Sequence, residues 1–170
     1  SLGYNSMLYL DGSYRFDWGS TASAEANRIE TFSLSGSFIW DKLLNVDAIS
    51  FGKLRAGYSE APIFPGTYAT SPVYGSGTAY GSLAYLAVPN NLANPNLTGG
   101  MRTELEYGIE LKVLNNRLGL DLTYFDREDS NLPVSISAAG STGYTGLSVN
   151  SKITSSAGFE VMLSGTPIVT

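Results

Sequence analysis

Apolar and polar residues alternate along most of the chain, which is the pattern of β-strands with one apolar face. The alternation is clearest on either side of Asn115-Asn116, where both flanking runs are long. Shorter alternating runs occupy residues 8–16, 32–40, 53–58 and 159–163. The pattern predicts an all-β chain with about six antiparallel strands and almost no helix.

Two kinds of connection alternate between these strands. Residues 17–29, 60–100 and 130–148 are long, polar and rich in glycine, whereas 41–48 and 115–116 are short. Because antiparallel neighbours reverse direction, we expect the long loops at one end of the sheet and the short turns at the other. Loops longer than about 15 residues are unusual. The longest loop is therefore predicted to have a function or a covering partner.

The Asn115-Asn116 turn also predicts how its two strands pair, because asparagine tolerates the positive φ that a two-residue hairpin turn needs. A slip of one residue would mix apolar and polar faces, so the register should be strongly specified. This register places Glu110 opposite Asp121, and these like charges are tolerable only beside water, a neighbouring cation or a ligand path. The predicted pairs are Val113 with Leu118, Leu111 with Leu120, Ile109 with Leu122, Tyr107 with Tyr124, Glu104 with Arg127, Arg102 with Asp129, and Glu110 with Asp121.

Composition excludes several classes of function. The 170 residues include no cysteine and no histidine, which removes thiol and histidine catalysis and the usual zinc ligands. The net charge of -5 argues against nucleic acid as a partner. The acidic cluster at 126–129 contains Arg127, so we interpret it as a solvated strand end. We predict no catalytic residue, no metal, no cofactor and no enzyme.

Low charge and long strands favour a membrane sheet over a soluble one. Only 15% of the residues are charged, against about 25% in ordinary soluble domains. The predicted strands have about 10 to 14 residues, whereas globular strands have about 5 to 6 and membrane-crossing strands about 9 to 11. We therefore predict an antiparallel up-and-down transmembrane β-barrel segment that needs further strands to close its edges. A soluble adhesive β-sandwich is the alternative.

The barrel prediction assigns the two faces of the central hairpin to different surroundings, since such barrels are apolar outside and polar inside. The predicted lipid-facing residues are Tyr107, Ile109, Leu111, Val113, Leu118, Leu120, Leu122 and Tyr124. The predicted lumen-facing residues are Glu104, Glu106, Glu110, Lys112 and Asp121.

Five short motifs occur in order along nearly the whole chain. They are Leu-Asp-Gly-Ser-Tyr-Arg-Phe at 10–16, Lys-Leu-Arg-Ala-Gly-Tyr at 53–58, Leu-Ala-Asn-Pro-Asn-Leu at 92–97, Asn-Asn-Arg-Leu at 115–118, and Gly-Phe-Glu-Val at 158–161 leading to Gly-Thr-Pro-Ile at 165–168. Their order and spacing resemble the SusC/RagA family of TonB-dependent outer-membrane transporters. The resemblance implies a barrel of 22 strands with an N-terminal plug.

The same resemblance implies import of oligosaccharides or peptides together with a SusD-like surface lipoprotein, driven through the TonB complex. Residues 1–170 would form part of one barrel domain in the outer membrane of a Gram-negative bacterium, with the plug and TonB box outside this segment. The alternative function within this fold is a scaffold subunit of a larger outer-membrane assembly or secretion complex.

The chain departs from the family pattern at strand ends and loops. Thr98-Gly99-Gly100 follows Asn-Pro-Asn-Leu where the family has a Lys-Trp-Glu-like stretch, and Ile29 and Ser33 replace an aromatic residue and a proline. These departures affect expected contacts with partner or substrate more than they affect the fold.

Aromatic side chains of the longest loop are the candidate contacts with substrate or a lipoprotein lid, because aromatic faces offer large contact areas. Packing of the loop on itself is the alternative interpretation. The candidates are Phe64, Tyr68, Tyr74, Tyr80 and Tyr85.

Overall fold

The computed structural model describes residues 1–44, 46, 48–77, 79 and 81–166. The six predicted long strands are confirmed: β2 (Leu8–Trp18), β3 (Arg28–Ile39), β4 (Ile49–Ile63), β8 (Gly100–Val113), β9 (Leu118–Ser137) and β10 (Gly146–Gly165). Four short strands were not predicted: β1 (Leu2–Tyr4), β5 (Gly75–Ser76), β6 (Leu86–Ala87) and β7 (Asn91–Leu92). Helical turns are limited, in these ranges, to α1 (Asp41–Leu44) and a 3₁₀ turn at Gly140–Thr142.

The six long strands form one up-and-down antiparallel sheet. The strand order is β1-β2-β3-β4-β8-β9-β10-β7, and β7 joins β10 in parallel while all other neighbours are antiparallel. The β5–β6 pair forms a separate small hairpin within the longest loop. Among the described residues, no helix is long and apolar enough to cross a membrane.

The predicted register of the β8–β9 hairpin is confirmed at every pair, from Val113 with Leu118 to Arg102 with Asp129. Asn115 and Asn116 have φ values of 56° and 63°, and the amide of Arg117 donates to the carbonyl of Leu114 at 3.2 Å. Positive φ angles at both central residues define a type I′ turn, whose twist matches that of the flanking strands. The asparagines are therefore the local cause of the register.

The predicted long loop at 130–148 is wrong. β9 continues to Ser137 and β10 begins at Gly146, so the connection contains only residues 138–145. Both extensions alternate apolar with polar residues, Leu132, Val134 and Ile136 on β9 and Leu147 and Val149 on β10. These runs are short, and the first contains Pro133, which argues against a strand. Pro133 lies next to a register shift of β10 after Asn150, and an irregular ladder is where a strand tolerates proline.

The register gathers the apolar positions of all six strands on one side of the sheet, because paired residues share a face. We call this side the apolar face; it comprises Leu8, Leu10, Tyr14, Phe16, Phe32, Leu34, Phe38, Leu54, Tyr58, Leu105, Tyr107, Ile109, Leu111, Val113, Leu118, Leu120, Leu122, Tyr124, Phe159, Val161 and Leu163. The opposite side, the polar face, comprises Tyr9, Asp11, Ser13, Ser33, Ser35, Ser37, Lys53, Arg55, Gly57, Glu104, Glu106, Gly108, Glu110, Lys112, Asp121, Thr123, Arg127 and Glu160.

Within the described part of the chain, no protein layer packs on the apolar face. Ala22 and Leu97 are the buried hydrophobic residues of the described part of the chain, and both lie in loops. On the sheet, Leu105 is 41% exposed and Tyr107 is 52% exposed. A soluble sandwich buries this face against a second sheet, and the described residues provide none. The described residues therefore form a single sheet and not the two packed sheets of the sandwich alternative.

Candidate functional site

Arg55 joins two strands of the polar face that are not neighbours. Its guanidinium on β4 donates to both carboxylate oxygens of Asp121 on β9, at 2.9 and 2.8 Å, and to Oγ1 of Thr123 at 2.5 Å. The intervening strand β8 places Gly108 between them. A Cβ at position 108 would lie 2.4 Å from Nε of Arg55, so the glycine provides the space that Arg55 crosses.

This crossing resolves the like-charged pair predicted in the hairpin. Glu110 and Asp121 are direct cross-strand partners. Asp121 is bound by Arg55, and Nζ of Lys112 lies 3.2 Å from Oε1 of Glu110. Each carboxylate therefore has its own cation, which was one of the three conditions set by the sequence.

The acidic cluster at 126–129 lies where the strands pass beyond the apolar face. Asp129 accepts two hydrogen bonds from Arg102, at 2.7 and 2.8 Å, and Arg127 pairs with Glu104. The Arg102 guanidinium lowers the pKa of the Asp129 carboxyl below its usual range. In the described ranges, no group of three or more acidic residues is placed to hold a metal ion. The predicted strand end is wrong, because β9 continues to Ser137; the cluster is an ion-paired segment within the strand.

A pocket of about 230 Å³ lies on the polar face beside Arg55, the residue that pairs with Asp121. Its floor contains the small residues Ser35, Ser37 and Gly57, and its charged lining includes Asp11, Lys53, Arg55 and Glu106. Charged and hydroxyl groups of this kind suit contact with water or a polar ligand. All five predicted lumen-facing residues share this polar face, and their orientation toward a lumen stays a prediction.

The predicted lipid-facing residues share the apolar face, and their orientation toward lipid likewise stays a prediction. Tyr107 and Tyr124 are cross-strand partners. The ring of Tyr124 also contacts Phe159 on β10, with ring centroids 5.0 Å apart. This second contact was missed because the pairing of β9 with β10 could not be read from a short turn.

Three asparagines at the long-loop end form what we call the amide clamp: Asn94, Asn131 and Asn150. The side-chain amide of Asn150 donates to the carbonyls of Thr98 and Asn131, at 3.0 and 2.8 Å. Its oxygen accepts the backbone amide of Thr98 at 3.0 Å. The side chain of Asn150 on β10 thus binds both the backbone N–H and the backbone carbonyl of Thr98.

The other two members of the clamp extend this attachment. Nδ2 of Asn131 donates to Oγ1 of Thr98 and to the carbonyl of Gly99, both at 2.9 Å. Nδ2 of Asn94 donates to the carbonyl of Ser148 at 2.9 Å. The base of the longest loop is therefore fastened to the ends of β9 and β10.

Leu97 lies beneath this attachment and is completely buried. Its carbonyl accepts the amide of Ser23 at 3.2 Å, which links the loop between β2 and β3 to the longest loop. The Asn-Pro-Asn-Leu motif at 94–97 thus supplies both a clamp residue and the buried side chain of the loop end. The sequence contained this motif, but its partners lie more than 50 residues away.

Ile29 and Gly99, two positions at which the chain departs from the family pattern, lie next to each other. A Cβ at position 99 would lie 2.3 Å from Cδ1 of Ile29, and one at position 100 would lie 2.7 Å from the carbonyl oxygen of Ser130. Side chains at these glycines would therefore displace Ile29 and the β9 backbone. Because Ile29 occupies the space above Gly99, the two departures are structurally coupled.

The aromatic candidates of the longest loop divide into two groups. Phe64 packs on Gly19, where an added Cβ would lie 2.1 Å from its ring. Tyr68, Tyr74 and Tyr85 are exposed. Tyr80 lies outside the described residues. Tyr85 packs in the same way on Gly77, where an added Cβ would lie 2.2 Å from its ring. Phe64 and Tyr85 therefore fit the alternative interpretation of internal packing, and Tyr68 and Tyr74 stay candidates for contact.

A single antiparallel sheet with one apolar and one ion-paired face has the architecture of a transmembrane barrel wall. No family model and no curated protein matches the sequence. Two structures of the RagAB peptide importer match it: the closed-closed state has a TM-score of 0.83 and 18% identity over 99% of this chain, and the open-open state has 0.81 and 19% over 99%.

The siderophore receptor PirA from Pseudomonas aeruginosa matches with a TM-score of 0.62 and 20% identity over 92% of this chain. The chain spans 19% of the RagAB chains and 28% of the PirA chain. At these identities the likeness shows the fold alone, which is that of a segment of the barrel wall in those proteins. The predicted fold class, an antiparallel segment of a barrel wall, is confirmed, while the 22 strands and the plug implied by the SusC/RagA resemblance stay predictions.

Proposed function

We propose that this chain forms part of the wall of a SusC/RagA-type TonB-dependent transporter in a Gram-negative outer membrane. The parent protein would import oligosaccharides or peptides together with a SusD-like surface lipoprotein. The observation that carries this proposal is a six-stranded apolar face over which the described residues place no protein layer. Hydrocarbon is the environment in which such a face is stable.

The height of the apolar face supports a membrane position. On β8 it extends from Leu105 to Val113, eight residue steps of about 3.4 Å each. With a strand tilt of about 40°, this length corresponds to a band about 20 Å tall, close to the roughly 25 Å band of outer-membrane barrels.

The polar face supports a water-filled or plug-filled interior. Its carboxylates at positions 104, 110 and 121 each pair with a cation on the same face. Similarity to RagAB, described as a peptide importer, favours peptides among the two substrate classes. The plug and TonB box, and through them the contact with the TonB complex, are proposed to belong to other parts of the same protein.

Transport is tested by uptake in cells that carry the full-length protein. We expect accumulation of a labelled peptide mixture or oligosaccharide mixture that stops when the proton-motive force is dissipated. Deleting 67–81 from the longest loop should lower uptake while the barrel stays folded, because loops carry recognition and strands carry stability. A folded barrel that accumulates neither mixture would contradict import and favour the scaffold function.

Sidedness is tested with single cysteines at two positions. We expect Ser76→Cys, in the longest loop, to react with an impermeant reagent on intact cells, and Asn116→Cys, in a short turn, to react only after lysis. Both positions are exposed, so a difference in labelling reports the side of the membrane. Labelling of Asn116→Cys alone on intact cells would invert the proposed topology.

A further inference from the structure

Leu97 and Thr98 are consecutive residues of the longest loop that bind to opposite sides of the sheet. The carbonyl of Leu97 accepts the amide of Ser23, in the connection between β2 and β3, at 3.2 Å. The amide of Thr98 donates to Oδ1 of Asn150 on β10 at 3.0 Å, and its carbonyl accepts Nδ2 of the same side chain at 3.0 Å. A single short stretch of the loop is therefore attached on both sides.

The strands that carry these two attachments are far apart in the sheet. From β3 to β10 the strand order is β3-β4-β8-β9-β10, and four strand spacings of about 4.8 Å correspond to about 19 Å. The Cα atoms of Leu97 and Thr98 are only about 3.8 Å apart, as across any trans peptide. The structures at the two sides therefore extend toward each other across the loop end of the sheet.

Burial secures the attachment on the β2–β3 side. Ala22 is 7% exposed and Leu97 is completely buried. The ring of Phe64, at the start of the longest loop, covers Gly19 and leaves no room for a side chain there. The hydrogen bond from Ser23 is thus accompanied by apolar packing, which holds the β2–β3 connection against the loop.

Amide hydrogen bonds secure the attachment on the other side. Besides the bonds of Asn150, Nδ2 of Asn131 on β9 donates to Oγ1 of Thr98 and to the carbonyl of Gly99, both at 2.9 Å. Nδ2 of Asn94 donates to the carbonyl of Ser148 on β10 at 2.9 Å. The stretch is therefore bound to both strands at this side of the sheet.

These attachments go beyond what the loop needs to stay in place. The loop joins β4 to β8, so the continuity of the chain already fixes its base on those two strands. The additional bonds reach the β2–β3 connection on one side and β9 and β10 on the other. A sheet twists and bends through rotations between neighbouring strands. A link between strands that are not neighbours limits those rotations.

We propose that residues 94–99 form a strap, fastened on both sides, that fixes the curvature of this part of the wall at its loop end. The strap holds the β2–β3 connection at a constant separation from the β9–β10 connection. In the proposed barrel this separation is part of the width of the mouth. The inference concerns the shape of the wall, and it does not depend on which substrate is imported.

Distances between pairs of nitroxide labels, measured in the full-length barrel in vesicles, test the strap. The pair Ala24→Cys and Ser141→Cys reports the loop end, because these positions lie in the β2–β3 and β9–β10 connections. The pair Ser6→Cys and Asn116→Cys reports the turn end. All four positions are exposed, and each pair is labelled in a barrel that has no other cysteine.

Two substitutions release the strap at different points. Leu97→Ala removes its buried side chain, and Asn150→Ala removes the bonds of its Thr98 backbone to β10. The matched controls are Leu83→Ala and Asn96→Ala, which remove the same groups from exposed positions of the same loop.

We expect each release to lengthen the mean loop-end distance by about 5 Å, one strand spacing, and to broaden its distribution. The turn-end distance and both controls should stay as in the wild type. The double variant should lengthen the loop-end distance no further than the larger single effect. Contacts that act as one unit are not additive, and a strap released at one point no longer acts.

An unchanged loop-end distance in both single variants would overturn the proposal. Equal lengthening at the turn end would also overturn it, because the whole sheet would then have loosened. Effects that add in the double variant would assign the distances to independent contacts instead of one strap. Each of these results leaves import untouched, since import is tested separately by uptake.

Discussion

The sheet and the loop end are stabilised in opposite ways. The sheet carries charges in pairs on one face and exposes its apolar side chains on the other, with no buried side-chain core among the described residues. Between β4 and β8 the longest loop, residues 64–99, has no charge, yet it is fastened by amide hydrogen bonds around the buried Leu97. The sheet therefore depends on its surroundings, whereas the loop base depends on its own contacts.

This difference implies that the two regions should respond to different substitutions. A charge on the apolar face should lower the free energy of unfolding because that face is proposed to contact lipid. An amide removed from the clamp should matter because a specific partner is left without its hydrogen bond. Free energies of unfolding for the full-length barrel in lipid vesicles, combined with local probes of the loop, separate these effects.

The largest effect is expected for a cation on the apolar face. Ile109→Arg or Leu120→Arg should lower the free energy of unfolding by about 2 to 4 kcal/mol, the cost of arginine near the bilayer midplane. The matched control is Ser35→Arg on the polar face, which should cost much less because it meets water. Equal losses on the two faces, measured by urea titration, would remove the distinction between them.

Loss of the clamp should have the next largest effect, confined to the loops. Asn150→Ala removes two donated bonds and one accepted bond and should destabilise the loop base by about 1 to 3 kcal/mol. Hydrogen exchange at the Thr98 amide should accelerate accordingly. Asn96→Ala is the control, because Asn96 is an exposed neighbour; equal acceleration in both variants would show that the clamp is not what holds the loop.

A smaller effect is expected where Arg55 crosses β8. Gly108→Ala should push Arg55 away from Asp121 and cost about 1 kcal/mol, the typical net value of a hydrogen bond. Gly57→Ala is the matched control, since its Cβ would meet only Ser35 at 3.7 Å. Combining each variant with Asp121→Asn tests the cause: the Gly108→Ala loss should shrink in that background, and an unchanged loss would assign it to backbone strain instead.

The sequence was most informative where alternation and turn chemistry agree. The β8–β9 register followed from Asn115-Asn116 and from apolar residues at every second position, and the structure has the same pairs. The extensions of β9 and β10 were missed because their alternating runs are short, at 132–136 and 147–149, and because Pro133 argues against a strand. Pairing between the two extensions stabilises them, and that pairing could not be predicted from either run alone.

Contacts between strands that are not neighbours could not be predicted. On the polar face, Arg55 passes over Gly108 of the neighbouring strand and hydrogen-bonds to Thr123 of the strand beyond it. The amide clamp was missed for the same reason, because Asn94 and Asn150 are brought together only by the completed sheet. The alternation of apolar and polar residues specifies the faces of the sheet and the register of neighbouring strands. Contacts between strands that are not neighbours can be predicted only when the strand order is known.

The central claim is that the apolar face contacts lipid and the polar face contacts water. Nitroxide labels placed singly at residues 118–125 of β9, in the full-length barrel in vesicles, test it most directly. We expect accessibility to oxygen to peak at 118, 120, 122 and 124, and accessibility to a water-soluble nickel chelate to peak at the positions between them. Nickel accessibility that peaks at 120 and 122, or no alternation at all, would contradict the claim.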